Sequence, residues 1–88
     1  MADEMFLEEA RLRSLIKAGG ARRIRLEAGI SLAELGQMAG GVGANTVCRW
    51  ERGEQSPRGV DIGLYAQALG KLRAATRAGR RQAKAVAQ

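Results

Sequence analysis

Glycine punctuates this chain at positions 19–20, 29, 40–41, 43 and 53, and the stretches between these stops have room only for brief helices packed on one another. No alternation of apolar and polar residues with period two competes with that reading. Residues 3–18 set Met5, Leu12, Leu15 and Ile16 in a stripe about 100° wide at the helical angle. Glu9–Arg13 and Glu8–Arg11 are spaced to pair on the outer side, while Phe6 and Leu7 fall off the stripe. Gly19-Gly20 is expected to end this helix. Residues 21–28 repeat Ala21, Ile24 and Ala28. Residues 31–39 open with Ser31 and Glu34, a capping box in which each side chain satisfies the other's backbone N–H. Leu35, Met38 and Ala39 then turn inward. Residues 44–52 place Val47 and Trp50 one turn apart. After a loop at 54–59 with the sole proline, Pro57, a fifth helix repeats Ile62, Tyr65, Leu69 and Leu72. The alanines of 73–78 extend it, and Gly79 with the cations that follow is expected to fray it. The expected fold is all-α, a compact bundle of five or six short helices.

The chain's 88 residues make one small domain, and with 3% aromatics its core must rest on aliphatic residues and alanine. The formal net charge of +6 favours an anionic partner, nucleic acid being the commonest; a merely solvated basic surface is the bland alternative. The charge is uneven. Residues 1–10 carry Asp3, Glu4, Glu8 and Glu9 and no cation, whereas 71–88 carry Lys71, Arg73, Arg77, Arg80, Arg81 and Lys84 and no acid. With one cysteine and no histidine, neither an intramolecular disulfide nor a Cys/His metal site is expected. The usual nucleophile–base pairs are absent too, so the reading is of no catalytic residues, no metal, no cofactor and no small-molecule ligand. No apolar run reaches membrane-spanning length and the acidic start is unlike a signal peptide, so a reducing cytoplasm is the expected setting.

Two short helices around a glycine turn in a basic helical domain suggest a helix-turn-helix. The residues sharpen this. Arg25-Leu26-Glu27-Ala28-Gly29-Ile30-Ser31-Leu32-Ala33-Glu34-Leu35 resembles the opening of the DNA-binding domain of phage repressors, Cro proteins and xenobiotic-response-element-type bacterial regulators. Val42-Gly43-Ala44-Asn45-Thr46-Val47-Cys48-Arg49-Trp50-Glu51-Arg52-Gly53 resembles that family's recognition helix with its Trp-Glu-x-Gly ending. Glu54–Arg58 and Leu64–Gly70 resemble the loop and closing helix that follow. The resemblance implies a helix-turn-helix domain over 21–72, which leaves an accessory helix over 1–20 and a basic tail over 73–88 outside it. It also implies that the helix from Ala44 enters the major groove. Ala44, Asn45, Cys48 and Arg49 then face bases, Thr46 faces a phosphate, and Val47 and Trp50 face the core. Arg25 and Glu51 correspond to the family's internal ion pair, a structural role.

Arg49 suits a bidentate contact to guanine, and equally a phosphate. Asn45 suits adenine, or a helix cap. Ala44 offers only an apolar contact. Cys48 reads first as a stand-in for serine and less readily as a redox thiol. Arg52, Arg58, Arg22 and Arg23 are candidate phosphate clamps. Three departures from the family pattern stand out: Gly40-Gly41 where one glycine is usual, Leu32 in place of a DNA-contacting glutamine, and Gly36 in place of alanine.

The leading expectation is a sequence-specific regulator of operator DNA, a repressor or Cro-like protein of phage or bacterial type, with a homodimer or a monomer both open. The alternatives are an antitoxin that represses its own operon and binds a toxin, and a protein–protein adaptor that retained the fold. The N-terminal helix is expected to pack on the core, with Leu26 helping to cover it, or else to join a dimer interface. The basic tail either touches DNA or is solvated.

Overall fold

The computed structural model describes residues 2–87, with side chains from Phe6 to Ala78. Five helices follow in order: α1 (Ala2–Lys17), α2 (Gly20–Glu27), α3 (Leu32–Met38), α4 (Ala44–Arg52) and α5 (Val60–Ala87). No strand occurs among the described residues, and no helix is long and apolar enough to cross a membrane.

All five helices contribute to one core. Leu35, Ala39, Val47 and Tyr65 are fully buried, and Trp50 nearly so. Leu12 and Ile16 of α1, Ala21 and Ile24 of α2, and Ala68, Leu69 and Leu72 of α5 complete it. The rings of Trp50 and Tyr65 lie 4.8 Å apart and tilted by 45°, within the favoured range for an aromatic pair. They form the centre of an otherwise aliphatic core. The Tyr65 hydroxyl is buried without a hydrogen-bond partner among the described residues, and its burial pushes the phenol's pKa well up.

The structure corrects the sequence reading at several points. Gly20 does not terminate the first helix; it is the first residue of α2, and Ala18 and Gly19 form the joint, Gly19 in the left-handed conformation. Gly20 is buried, and a Cβ there would strike the Leu15 side chain. Leu15 and Ile62 pack at the margin of the core, not inside it. Met38 is 39% exposed because it closes the last turn of α3, past the contact with α4. Leu26 is 56% exposed and covers nothing of α1, since Ala21 and Ile24 take the inward side of α2. Met5 lies outside the residues whose side chains are described. Glu9 and Arg13 approach to 3.6 Å as their spacing allows. The fifth helix is not short: α5 runs through Gly79 to Ala87. Alanine and arginine are strong helix formers, and their number outweighs the cost of about 1 kcal/mol for one interior glycine.

Ser31 caps α3 with the full capping box. Its hydroxyl accepts from the Glu34 N–H at 3.1 Å, and the Glu34 carboxylate accepts from the Ser31 N–H at 3.1 Å. These bonds, the backbone one foremost, hold the Glu34 carboxyl below its ordinary value. Its stabilising contribution is therefore complete above the unfolded-state value and is lost as pH falls through the lower folded-state value. Ser31→Ala is expected to reduce stability by about 1 kcal/mol. In Glu34→Gln the acid limb of the stability curve should flatten, which urea titrations between neutral and acid pH would measure.

Candidate nucleic-acid interface

Helices α3 and α4 pack closely around the turn at residues 39–43. Val47 and Trp50, buried to within 1%, pin α4 by one side and leave the other side to solvent. At 3.6 residues per turn, Ala44, Asn45, Cys48, Arg49 and Arg52 share an arc of about 140° on that outer side. Asn45, Arg49 and Arg52 are exposed; Ala44 and Cys48 are half-buried. Thr46 lies at the edge of the buried side, also half-buried. The N-cap of α4 is Gly43, with no side chain capping the helix. Asn45 sits in the first turn and does not serve as the cap, so its amide remains on the outer arc. The uncapped end leaves backbone N–H groups and the positive end of the helix dipole directed out of the bundle.

An ion pair ties α4 to α2. Arg25 Nε donates to Glu51 Oε2 at 2.6 Å, and Nη2 donates to Oε1 at 3.1 Å. Nη1 donates to the Ile30 carbonyl at 3.1 Å. The two side chains are only 11% and 5% exposed. One guanidinium thus ties together α2, the connection into α3, and the end of α4. Hydrogen bonding to Glu51 raises the Arg25 pKa against the opposing effect of burial.

The cations divide between two sides of α2. Arg22 lines a groove with Lys17, Leu32, Cys48, Glu51 and Arg52, beside the outer side of α4. Arg23 lines a different groove, with Arg73 and Arg77 of α5. The sequence reading set Arg22 and Arg23 together as phosphate clamps; the structure separates them, because adjacent residues on a helix point about 100° apart. Lys17 was not singled out from sequence. A lysine closing a helix carries no local signal, and only the fold brings it beside Arg22. Arg52 lies 3.9 Å from Glu54, with both side chains exposed; such a pair is worth little and leaves the guanidinium available. Arg58 is exposed in the loop before α5, and Leu32 packs partly against the core.

A pair of short helices in close contact, the second anchored by two buried residues and presenting a polar, basic arc, defines a helix-turn-helix domain of the DNA-binding type. The family described as "Helix-turn-helix" matches residues 22–74. The chain belongs to this family, that of phage repressors and Cro-like DNA-binding regulators. No curated protein and no solved structure matches it.

Proposed function

We propose that this protein is a sequence-specific regulator of transcription that reads the major groove of double-stranded operator DNA with α4. The observation that carries this reading is the outer arc of α4, where Ala44, Asn45, Cys48 and Arg49 stand together while Val47 and Trp50 are buried. Arg49 supplies a bidentate donor for guanine O6 and N7, and Asn45 a donor–acceptor pair for adenine. Ala44 and Cys48 offer small contacts between them. Thr46, Arg52, Arg58 and Arg22 hold the phosphates, and Lys17 joins Arg22 in the groove beside α4. A minimal repressor or Cro-like regulator, phage- or prophage-encoded and acting in a bacterial cytoplasm, is the form of regulator this reading favours. No step in it calls for catalysis, a cofactor or a small-molecule effector.

Selection of binding sites from random duplex DNA, with the wild type and Arg49→Ala, tests it. The wild type should enrich a defined motif, and Arg49→Ala should relax it at one guanine by about 1–3 kcal/mol of discrimination. Failure to enrich any motif would remove the proposal. With about four or five phosphates engaged, log affinity should fall against log salt with a slope near −4. Arg22→Ala should lessen that slope by about 1, whereas Arg23→Ala, on the other side of α2, should leave it unchanged.

A further inference from the structure

Four arginines edge a groove to which α4 contributes nothing. Two hollows of about 280 Å³ and 270 Å³ open between α1, α2 and α5, and they share Leu15, Ile24 and Arg73. No residue of α4 or of the loop after it lines either one. Arg11 and Arg73 stand over the larger hollow, and Arg23, Arg73 and Arg77 over the smaller. None of the four has an ion-pair partner among the described residues. Two acids lie with them. Glu8 is spaced to pair with Arg11 yet forms no ion pair with it, and Glu27 is already engaged. The rim therefore holds cations in excess of its acids.

The floor is apolar. Leu12, Ile24 and Leu69 form its base, and half-buried Leu15 and Ala66 stand nearer the surface. Gly70 keeps it shallow and open: nothing lies within 4 Å of where its Cβ would be, although glycine inside a helix is unfavourable. From Ala66 to Arg77 the groove runs about 17 Å along α5, the length of three turns of a second helix. Each hollow alone falls below the range of about 300–1,000 Å³ usual for small-molecule pockets. Joined end to end, they suit a row of side chains from one peptide.

We propose that this groove is a docking site for an acidic amphipathic helix of a different protein, bound at the same time as DNA. A helix laid in a groove places apolar side chains, three and four residues apart, on the floor. Its acidic flanks then meet Arg11 on one side and Arg23, Arg73 and Arg77 on the other. Charge complementarity selects the partner, and the apolar floor separates it from DNA, whose phosphates would match the arginines and leave Leu15 and Ala66 uncovered. The chain's own acidic segment does not fit the description, because α1 already commits its apolar side, Leu12 and Ile16, to the core of its own molecule. Arg22, the phosphate contact of the DNA reading, lines a separate groove, so neither ligand blocks the other.

Fluorescence anisotropy with the full chain and no DNA tests this independently of the reading of α4. The probe is a stapled helical peptide of about 14 residues, with leucines three and four apart on one side and glutamates on the other. It should bind saturably, and a peptide of the same composition with its leucines scattered should bind about tenfold or more weakly. Arg73→Glu with Arg77→Glu should weaken the patterned peptide about tenfold or more. Arg22→Glu with Arg52→Glu, the same change of charge on the DNA side, should leave it within about twofold. Gly70→Leu should block the peptide without lowering the melting temperature, which separates docking from folding. Equal binding of the two peptides, or equal losses from the two charge reversals, would reduce the groove to general charge attraction and overturn the proposal. So would a reversal at Arg73 and Arg77 that weakens duplex DNA as much as peptide, which would assign the arginines to DNA. Sedimentation showing that a second copy occupies the groove and excludes the peptide would overturn it as well.

Discussion

Arg25→Ala is expected to cost about 3–5 kcal/mol, the usual effect of removing one partner from a buried ion pair. Three hydrogen bonds vanish together: two to Glu51 and one to the Ile30 carbonyl. Glu51, 5% exposed, is left as a charge with little access to water. A domain of this size has only about 5–10 kcal/mol to lose, so the variant should be largely unfolded well below the wild-type melting temperature. The control is the double replacement Arg25→Met with Glu51→Leu. It removes both charges while keeping apolar volume, and buried pairs replaced in this way often lose little stability. Urea titrations of the four proteins of the cycle would check it. If Arg25→Ala costs no more than an exposed substitution, the pair does not organise the domain. The double variant also isolates the pair's geometric role. If the guanidinium sets the angle of α4, the double variant should fold well and still bind DNA less tightly.

Gly36→Ala is the second substitution with a large expected effect, and its sign runs against helix propensity. Alanine is worth about 1 kcal/mol more than glycine inside a helix. At position 36, however, the new Cβ would strike the Val42 carbonyl oxygen. That oxygen belongs to backbone, which yields at greater cost than a side-chain tip. Overpacking of this kind costs about 1–3 kcal/mol net. The clash follows from the path of the turn. The Gly36 carbonyl accepts from both the Gly41 N–H, at 2.9 Å, and the Val42 N–H, at 3.0 Å. This folds the chain back until Val42 lies over the Gly36 α-carbon. Gly41 adopts φ +88°, where a side chain would be strained. The glycine at 36 and the glycine at 41 thus meet in one turn, and the two positions are expected to be coupled. Deleting Gly41 should relieve Gly36→Ala, and a thermal-denaturation cycle should show strong coupling between the two changes. Additive effects would mean that the turn length and Gly36 are independent.

Much of the fold was legible because its signals are local. The capping box needs only Ser31 and Glu34 at the correct spacing. The buried side of α4 needs only Val47 and Trp50 one turn apart. The pairing of Arg25 with Glu51 could be expected because the motif around each is distinctive, but its geometry waited on packing: the partners stand 26 residues apart in sequence, and the third bond goes to the Ile30 carbonyl. The errors share a cause. Periodicity places Met38, Leu15 and Ile62 inward, but it shows which side of a helix is apolar and not how much of that side a neighbour covers. Gly20 and Gly79 read as stops because glycine weakens a helix, although packing against Leu15 at one site and a run of alanines and arginines at the other outweigh that penalty.

The chain's own sequence determined the capped start of α3, the apolar side of each helix and which motif organises residues 22–74, because capping, helical periodicity and motif spacing all act within a few turns. Only the tertiary structure decided which cations share a surface. Arg22 and Arg23 are neighbours in sequence and part company in space, while Lys17 joins Arg22 and Arg77 joins Arg23. The physical reason is that a helix turns each successive side chain by about 100°, so the partner of a surface charge is set by the helix packed beside it and not by its neighbour along the chain.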